Sequence, residues 1–133
     1  KDATLYTSTT YLDGIMEKYI PGDYEFNVPS KLIDLYKTKN YGPYAENGKM
    51  PVCFIATNHA TGGNSGSPAI DAKGNLIGLN FDRVWEGTMS DIYYDPNICR
   101  NIMVDARYIL FIIDKYADAK NIISELKLVH PKK

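Results

Sequence analysis

Apolar and polar positions alternate over short stretches through most of the chain, and helical spacing enters in only a few places. Thr4 to Leu12 is dense in β-branched and aromatic side chains, namely Thr4, Tyr6, Thr7, Thr9, Thr10 and Tyr11, which predicts a strand. Asp13-Gly14 then predicts a turn, and Ile20 to Pro29, with Pro21-Gly22-Asp23, a surface loop. Leu32, Ile33, Leu35 and Tyr36 share one side of a short helix over 31–36 that Ser30 is placed to cap. Lys39 to Lys49, with Gly42, Pro43 and Gly48, predicts irregular chain.

From Met50 onward, short apolar runs are split by turn residues. Strands are predicted over Val52–Ala56, Ser67–Asp71, Asn75–Phe81 and Ile102–Val104, with Asp71-Ala72-Lys73-Gly74-Asn75 as a tight hairpin connection and Gly74 supplying positive φ. Trp85 to Asn101 is a loop, and two helical runs follow, Arg107–Tyr116 and Asp118–Leu128. The first of these is apolar nearly all round, which predicts packing against the sheet or a neighbour. Several short strands followed by terminal helices give a mainly β fold of the antiparallel barrel or sandwich kind with a helical end.

Composition narrows the function classes. The 133 residues are 44% hydrophobic and 23% charged with a net charge of -1, which describes a single globular domain and excludes a disordered tail. A balanced chain has no net field with which to collect phosphates, so nucleic acid is not an expected partner. The longest apolar run, Tyr108 to Ile113, falls short of the roughly 20 residues of a membrane span, so none is expected. The 11 tyrosines against 4 phenylalanines and 1 tryptophan suit half-wet strands and clefts. A start at Lys1-Asp2-Ala3, without Met or a signal segment, leads us to expect a processed chain or a piece of something longer. Cys53 and Cys99 are compatible with one bridge or with two buried thiols, and their spacing is not that of a metal site.

The stretch Thr61-Gly62-Gly63-Asn64-Ser65-Gly66-Ser67-Pro68 carries the most chemical information. Acyl transfer by a hydroxyl nucleophile needs an exposed Oγ and backbone N–H groups aimed at the developing oxyanion. Glycines on both sides of Ser65 permit such a turn, with the N–H groups of Gly63 and Ser65 as the hole. On residues alone, a Gly/Ser-rich loop without a reactive group is an equal reading. A phosphate loop fits less well, since no Gly-Lys-Ser/Thr ending and no helix pattern follows, and a strand after the motif argues against a nucleophile elbow.

Gly63-Asn64-Ser65-Gly66-Ser67-Pro68 resembles the nucleophile motif of chymotrypsin-like serine peptidases. The longer run from Asn58 to Asp91, with Asn80-Phe81-Asp82-Arg83-Val84-Trp85-Glu86-Gly87, Cys99-Arg100-Asn101-Ile102 and the helix Tyr108 to Tyr116, resembles the bacterial dipeptidyl-peptidases 7 and 11. The resemblance implies that residues 1–133 are the C-terminal half of a longer catalytic domain. That half comprises the second, six-stranded-type antiparallel barrel of a chymotrypsin-like double barrel plus the final helices, with no internal boundary. It also implies a periplasmic or cell-surface location in a Gram-negative bacterium, no cofactor and no metal.

Under the same resemblance Ser65 is the nucleophile, and Gly63 with Ser65 forms the oxyanion hole. The triad His and Asp come from the other barrel, so this chain alone is expected to be inactive. Its two histidines do not replace the base: His130 lies in a Lys/Pro-rich tail, and His59 shares the serine's own loop. Arg83 resembles the arginine with which the Asp/Glu-specific members grip an acidic side chain, a task suited to a permanently charged, bidentate guanidinium. On residues alone, Arg83 reads instead as the partner of Asp82, Glu86 or Asp91 in a surface ion pair. Asp82 is the candidate for the substrate ammonium, with Phe81 and Trp85 as walls of the cleft or, as is commoner for such residues, packed in the core. Strand alternation predicts that of Asp82 and Arg83 only one faces that cleft. The expected function is a serine exopeptidase that releases dipeptides ending in Asp or Glu, with a noncatalytic peptide-binding or assembly module as the alternative. Expected partners are peptides with an acidic second residue, the rest of the same protein, and a second copy of the chain as a homodimer.

Overall fold

A computed structural model describes residues 7–129. Five strands form one antiparallel sheet: β1 (Thr9–Tyr11), β2 (Pro51–Ala56), β3 (Pro68–Ile70), β4 (Leu76–Arg83) and β5 (Asn101–Asp105), in spatial order β1-β2-β5-β4-β3. β3, β4 and β5 are consecutive neighbours while β2 lies beside β5, a Greek-key path whose long connection is the stretch 57–67. The mainly β, antiparallel architecture with terminal helices thus agrees with the sequence pattern. The expected strand from Thr4 is realised as β1, with Thr4 to Tyr6 outside the described residues, as is His130.

The helices are α1 (Leu12–Glu17), α2 (Ser30–Lys37), α3 (Ala106–Phe111), which continues as a π turn over Ile112–Tyr116, and α4 (Lys120–Glu125). α1 occupies the place of the turn predicted at Asp13-Gly14. Leu12, Ile15, Met16 and Tyr19 recur at helical spacing and pack on the core, and that burial outweighs the turn preference of Asp-Gly. Ser30 does not cap α2: Pro29 holds the cap position and no side chain bonds to the first turn. α3 does have a side-chain cap, in which Asp105 accepts from the Arg107 N–H at 2.8 Å while its carboxylate also pairs with the Arg107 guanidinium. At the hairpin, Asp71 accepts from the Lys73 and Asn75 N–H groups, and Gly74 takes φ 83°, as predicted. Among the described residues, no helix is long and apolar enough to cross a membrane.

The core lies where β2 begins and β5 ends. Leu12, Leu32, Leu35, Tyr41, Tyr44, Met50, Val52 and Phe111 are buried together there, with α1, α2 and α3 converging on them. The opposite end of the sheet, where β2 and β4 end and β3 and β5 begin, carries the connections 57–67 and 84–100. One end of the sheet is therefore clamped by helices and the other is free to present loops.

Between the two ends, Gly78 lets β4 pass under Phe54. A Cβ there would lie 2.6 Å from the Val104 carbonyl oxygen and 2.8 Å from the Phe54 ring. Chemical denaturation of the protein checks both features. Phe111→Ala, which empties a fully buried site, is expected to cost about 3–5 kcal/mol, and Gly78→Ala about 1–3 kcal/mol through overpacking.

Candidate functional site

The connection 57–67 is shaped by two asparagines. Asn64 closes a tight turn: its Oδ1 accepts from the Thr61 N–H at 2.8 Å and its own N–H donates to the Thr61 carbonyl at 3.2 Å. The Asn64 carbonyl then accepts from the Ser67 N–H at 3.0 Å and from Nδ2 of Asn80 at 3.2 Å. Asn80, buried in β4, completes the latch, its carbonyl accepting from the Gly66 N–H at 2.7 Å and its N–H donating to the Ser67 carbonyl at 2.9 Å. Gly63 and Gly66 take φ 88° and 85°, in the left-handed region that penalises a Cβ.

Ser65 stands exposed between these anchors, its Oγ 3.5 Å from the Phe81 carbonyl. Among the described residues, no group accepts a hydrogen bond from the N–H of Gly63 or of Ser65. Both lie on a cleft of about 150 Å³ that Asn80, Phe81, Asp82 and Arg83 also line. The sequence candidates Gly63, Ser65, Phe81, Asp82 and Arg83 are thus brought to one place. Trp85 is not among the lining residues and is 80% exposed.

The ladder near the end of β4 is interrupted once. Asn80 pairs with Met103 and Asp82 with the adjacent Ile102, so Phe81 is the extra residue of a β-bulge. Asp82 and Arg83 beyond it pair in regular register with Ile102 and Asn101, so alternation between these two is kept, while Phe81, Asp82 and Arg83 all border the cleft. Asp82 Oδ1 accepts from the Arg83 N–H at 2.7 Å, which ties that side chain down beside the cleft.

Of the ion-pair partners open to Arg83, the fold selects Asp91. Nη1 donates to Oδ1 at 2.9 Å and Nη2 to Oδ2 at 2.8 Å, and Nη1 also donates to Ser90 Oγ at 2.8 Å. Asp91 sits on the 3-10 turn Trp85–Asp91 that follows β4, close enough for this return contact. The Arg83 hydrogen bond is the largest influence holding the Asp91 carboxyl below the usual carboxylate range, and the Gly62 N–H adds to it.

The two connections are also latched to each other. His59 Nε2 lies 3.1 Å from the Ser90 carbonyl, its ring edge-on to Tyr94 at 5.2 Å. Tyr94 donates to the Thr57 carbonyl, and Asn101 Nδ2 to the Asn58 carbonyl. His59 is therefore used in holding the loops together and is not directed at Ser65. Cys53 and Cys99 are both free thiols, which decides the sequence alternative against a bridge, and burial pushes the Cys53 thiol up. Sequence reasoning missed Asn64, Asn80 and Ser90; the signal for Asn80 was an amide inside the otherwise apolar strand Leu76–Phe81.

The Asp91 shift has a defined sign. A carboxyl lowered in the folded state contributes stability that is present above its unfolded value and lost as pH falls through the folded one. Titration of the Asp91 carboxyl carbon by NMR is expected to show a midpoint below the ordinary Asp range, and Arg83→Gly is expected to return it upward. A midpoint that does not move in Arg83→Gly contradicts the pairing.

The family model of Peptidase S46 matches residues 1–128. An Asp/Glu-specific dipeptidyl-peptidase from Flavobacterium psychrophilum is 77% identical over 133 residues, which are 100% of this chain and 19% of that protein. The dipeptidyl-peptidase 7 of Porphyromonas gingivalis is 47% identical over 129 residues, or 97% of this chain and 18% of that one. Among solved structures, Porphyromonas endodontalis DPP11 in complex with the dipeptide Arg-Asp superposes with a TM-score of 0.91 at 52% identity, covering 96% of this chain and 18% of that chain. The chain thus spans less than a fifth of the length of these relatives. A family match over nearly every residue, with the exposed serine and its glycine-flanked loop in place, means that this chain belongs to the Peptidase S46 family.

Proposed function

We propose that this chain is the nucleophile-bearing part of a serine dipeptidyl-peptidase that releases N-terminal dipeptides by cleaving after Asp or Glu. The observation that carries the reading is the single cleft lined by Ser65, Phe81, Asp82 and Arg83. The names of the Asp/Glu-specific relatives and the Arg-Asp complex of the solved relative support it.

In this reading Ser65 Oγ attacks the scissile carbonyl while its proton passes to a histidine oriented by an aspartate, both from the remainder of the protein. The N–H groups of Gly63 and Ser65, left without partners among the described residues, take the oxyanion. The amine half leaves with the proton, water attacks the acyl-enzyme, and the dipeptide departs with a new carboxylate. Arg83 binds the acidic side chain, Asp82 the free ammonium two residues before the cut, and Phe81 walls the cleft. The charge requirement at both ends of a dipeptide is what limits the enzyme to short N-terminal products.

Residues 1–133 then form the C-terminal half of a catalytic domain, and on their own they lack a base and are inactive. The sheet leaves Ile70 and Ile77 exposed around a second hollow of about 500 Å³ that Phe54, Ala56 and Met103 also line. We assign the cover of this face to the rest of the same protein. A homodimer of the chain is the rival cover, and light scattering over a concentration series distinguishes the two. The family resemblance supports a periplasmic or cell-surface location.

Two substitutions in the full-length protein test the reading. Ser65→Ala is expected to lower dipeptide release from a chromogenic substrate ending in Asp by about a thousandfold or more; retained turnover sinks the nucleophile assignment and favours a noncatalytic module. Arg83→Gly is expected to reduce kcat/KM for acidic substrates by roughly a hundredfold and to raise it for apolar ones. An unchanged preference refutes the pocket.

A further inference from the structure

Arg83 has five N–H donors, and three of them are already engaged within the fold. Both hydrogens of Nη1 are used, by Asp91 Oδ1 and Ser90 Oγ, and one of Nη2 goes to Asp91 Oδ2. No described group accepts from Nε or from the second Nη2 hydrogen. These two hydrogens point the same way along one side of the planar guanidinium, at the separation of the two oxygens of a carboxylate. The Gly62 N–H lies near enough to help lower the Asp91 carboxyl, so the group that holds Arg83 sits beside the loop carrying Gly63 and Ser65.

We propose that Asp91, with Ser90, is a positioning residue for substrate specificity: it occupies the Nη1–Nη2 end of Arg83 and leaves the Nε–Nη2 side for the acidic side chain of the substrate. The inference rests on the Arg83 pocket proposed above and extends it to the residues that aim the cation. A long, flexible guanidinium loses less conformational freedom on binding when it is already held, so the interaction with substrate is stronger by what the fold has fixed beforehand. Asp91 is in this account the fixed carboxylate on one edge of the guanidinium plane, and the substrate takes another edge without displacing it.

The test uses the full-length protein and pairs of dipeptidyl chromogenic substrates that differ only in Asp against Asn at the second position. The readout is the ratio of kcat/KM for Asp over Asn. Asp91→Ala is expected to lower this ratio by roughly tenfold to a hundredfold, with the loss in KM for the Asp substrate. Asp91→Asn, which keeps the shape and one acceptor, is expected to move it in the same direction by less. On an Arg83→Gly background the effect of Asp91→Ala on the ratio is expected to vanish. A ratio that is unchanged or rises overturns the inference, as does equal slowing of both substrates by both Asp91 variants, which marks a purely structural role. If Arg83→Gly shifts the preference and the Asp91 variants do not, this inference alone falls; if Arg83→Gly leaves the preference unchanged, the pocket assignment falls with it.

Discussion

The geometry of the serine loop depends on one amide residue inside a strand. Asn80 pairs with Met103 across the sheet on one side, and on the other its carbonyl, N–H and Nδ2 bond to Gly66, Ser67 and Asn64. Leaving a buried polar group without such a partner costs about 1–3 kcal/mol, so the loop conformation that bonds these three Asn80 groups is favoured, while Asn80 Oδ1 is buried without a partner among the described residues. The left-handed glycines make that conformation accessible, and Asn80 selects it. The exposure of Ser65 is therefore set from below by the sheet, in a loop that shows no packed core of its own.

Electrostatics at the cleft follow a second logic. Exposed ion pairs contribute little to stability, and the Arg83–Asp91 pair is partly exposed on both sides. Its geometry is nevertheless bidentate, with a hydroxyl added, which is far more order than a stabilising surface contact requires. The buried Asp105 and its partner Arg107 show the contrasting case, a carboxylate that caps a helix and joins strand to helix at the opposite end of the sheet. Two Arg–Asp pairs in one chain thus serve different ends, one joining elements of the fold and one orienting a cation at its rim.

Much of this was legible in the residue pattern. Strands β2, β4 and β5, the Asp71–Asn75 hairpin and the terminal helices follow from alternation, turn chemistry and helical spacing that tertiary packing did not contradict. The serine loop was recognisable because its glycines are an unusual local requirement. What stayed hidden was set by distant partners. α1 formed at Asp13-Gly14 because Leu12, Ile15 and Met16 found a core that only the whole fold supplies. Asn64 and Asn80 looked like ordinary polar residues until the Greek-key path put them together. Arg83 had three acidic neighbours in sequence, and only the 3-10 turn after β4 decided among them.

The bulge at Phe81 separates two kinds of change that a lineage of such proteins can undergo. Phe81 is the one extra residue, and the ladder stays paired on either side of it while Phe81, Asp82 and Arg83 border the cleft. Exchanging the side chain at position 83 changes the charge at the cleft and leaves the ladder before the bulge untouched. Removing the bulged residue would instead close the ladder directly from Asn80 to Asp82 and take Phe81 out of the cleft. Composition at this strand end is free to drift, whereas its length is held fixed.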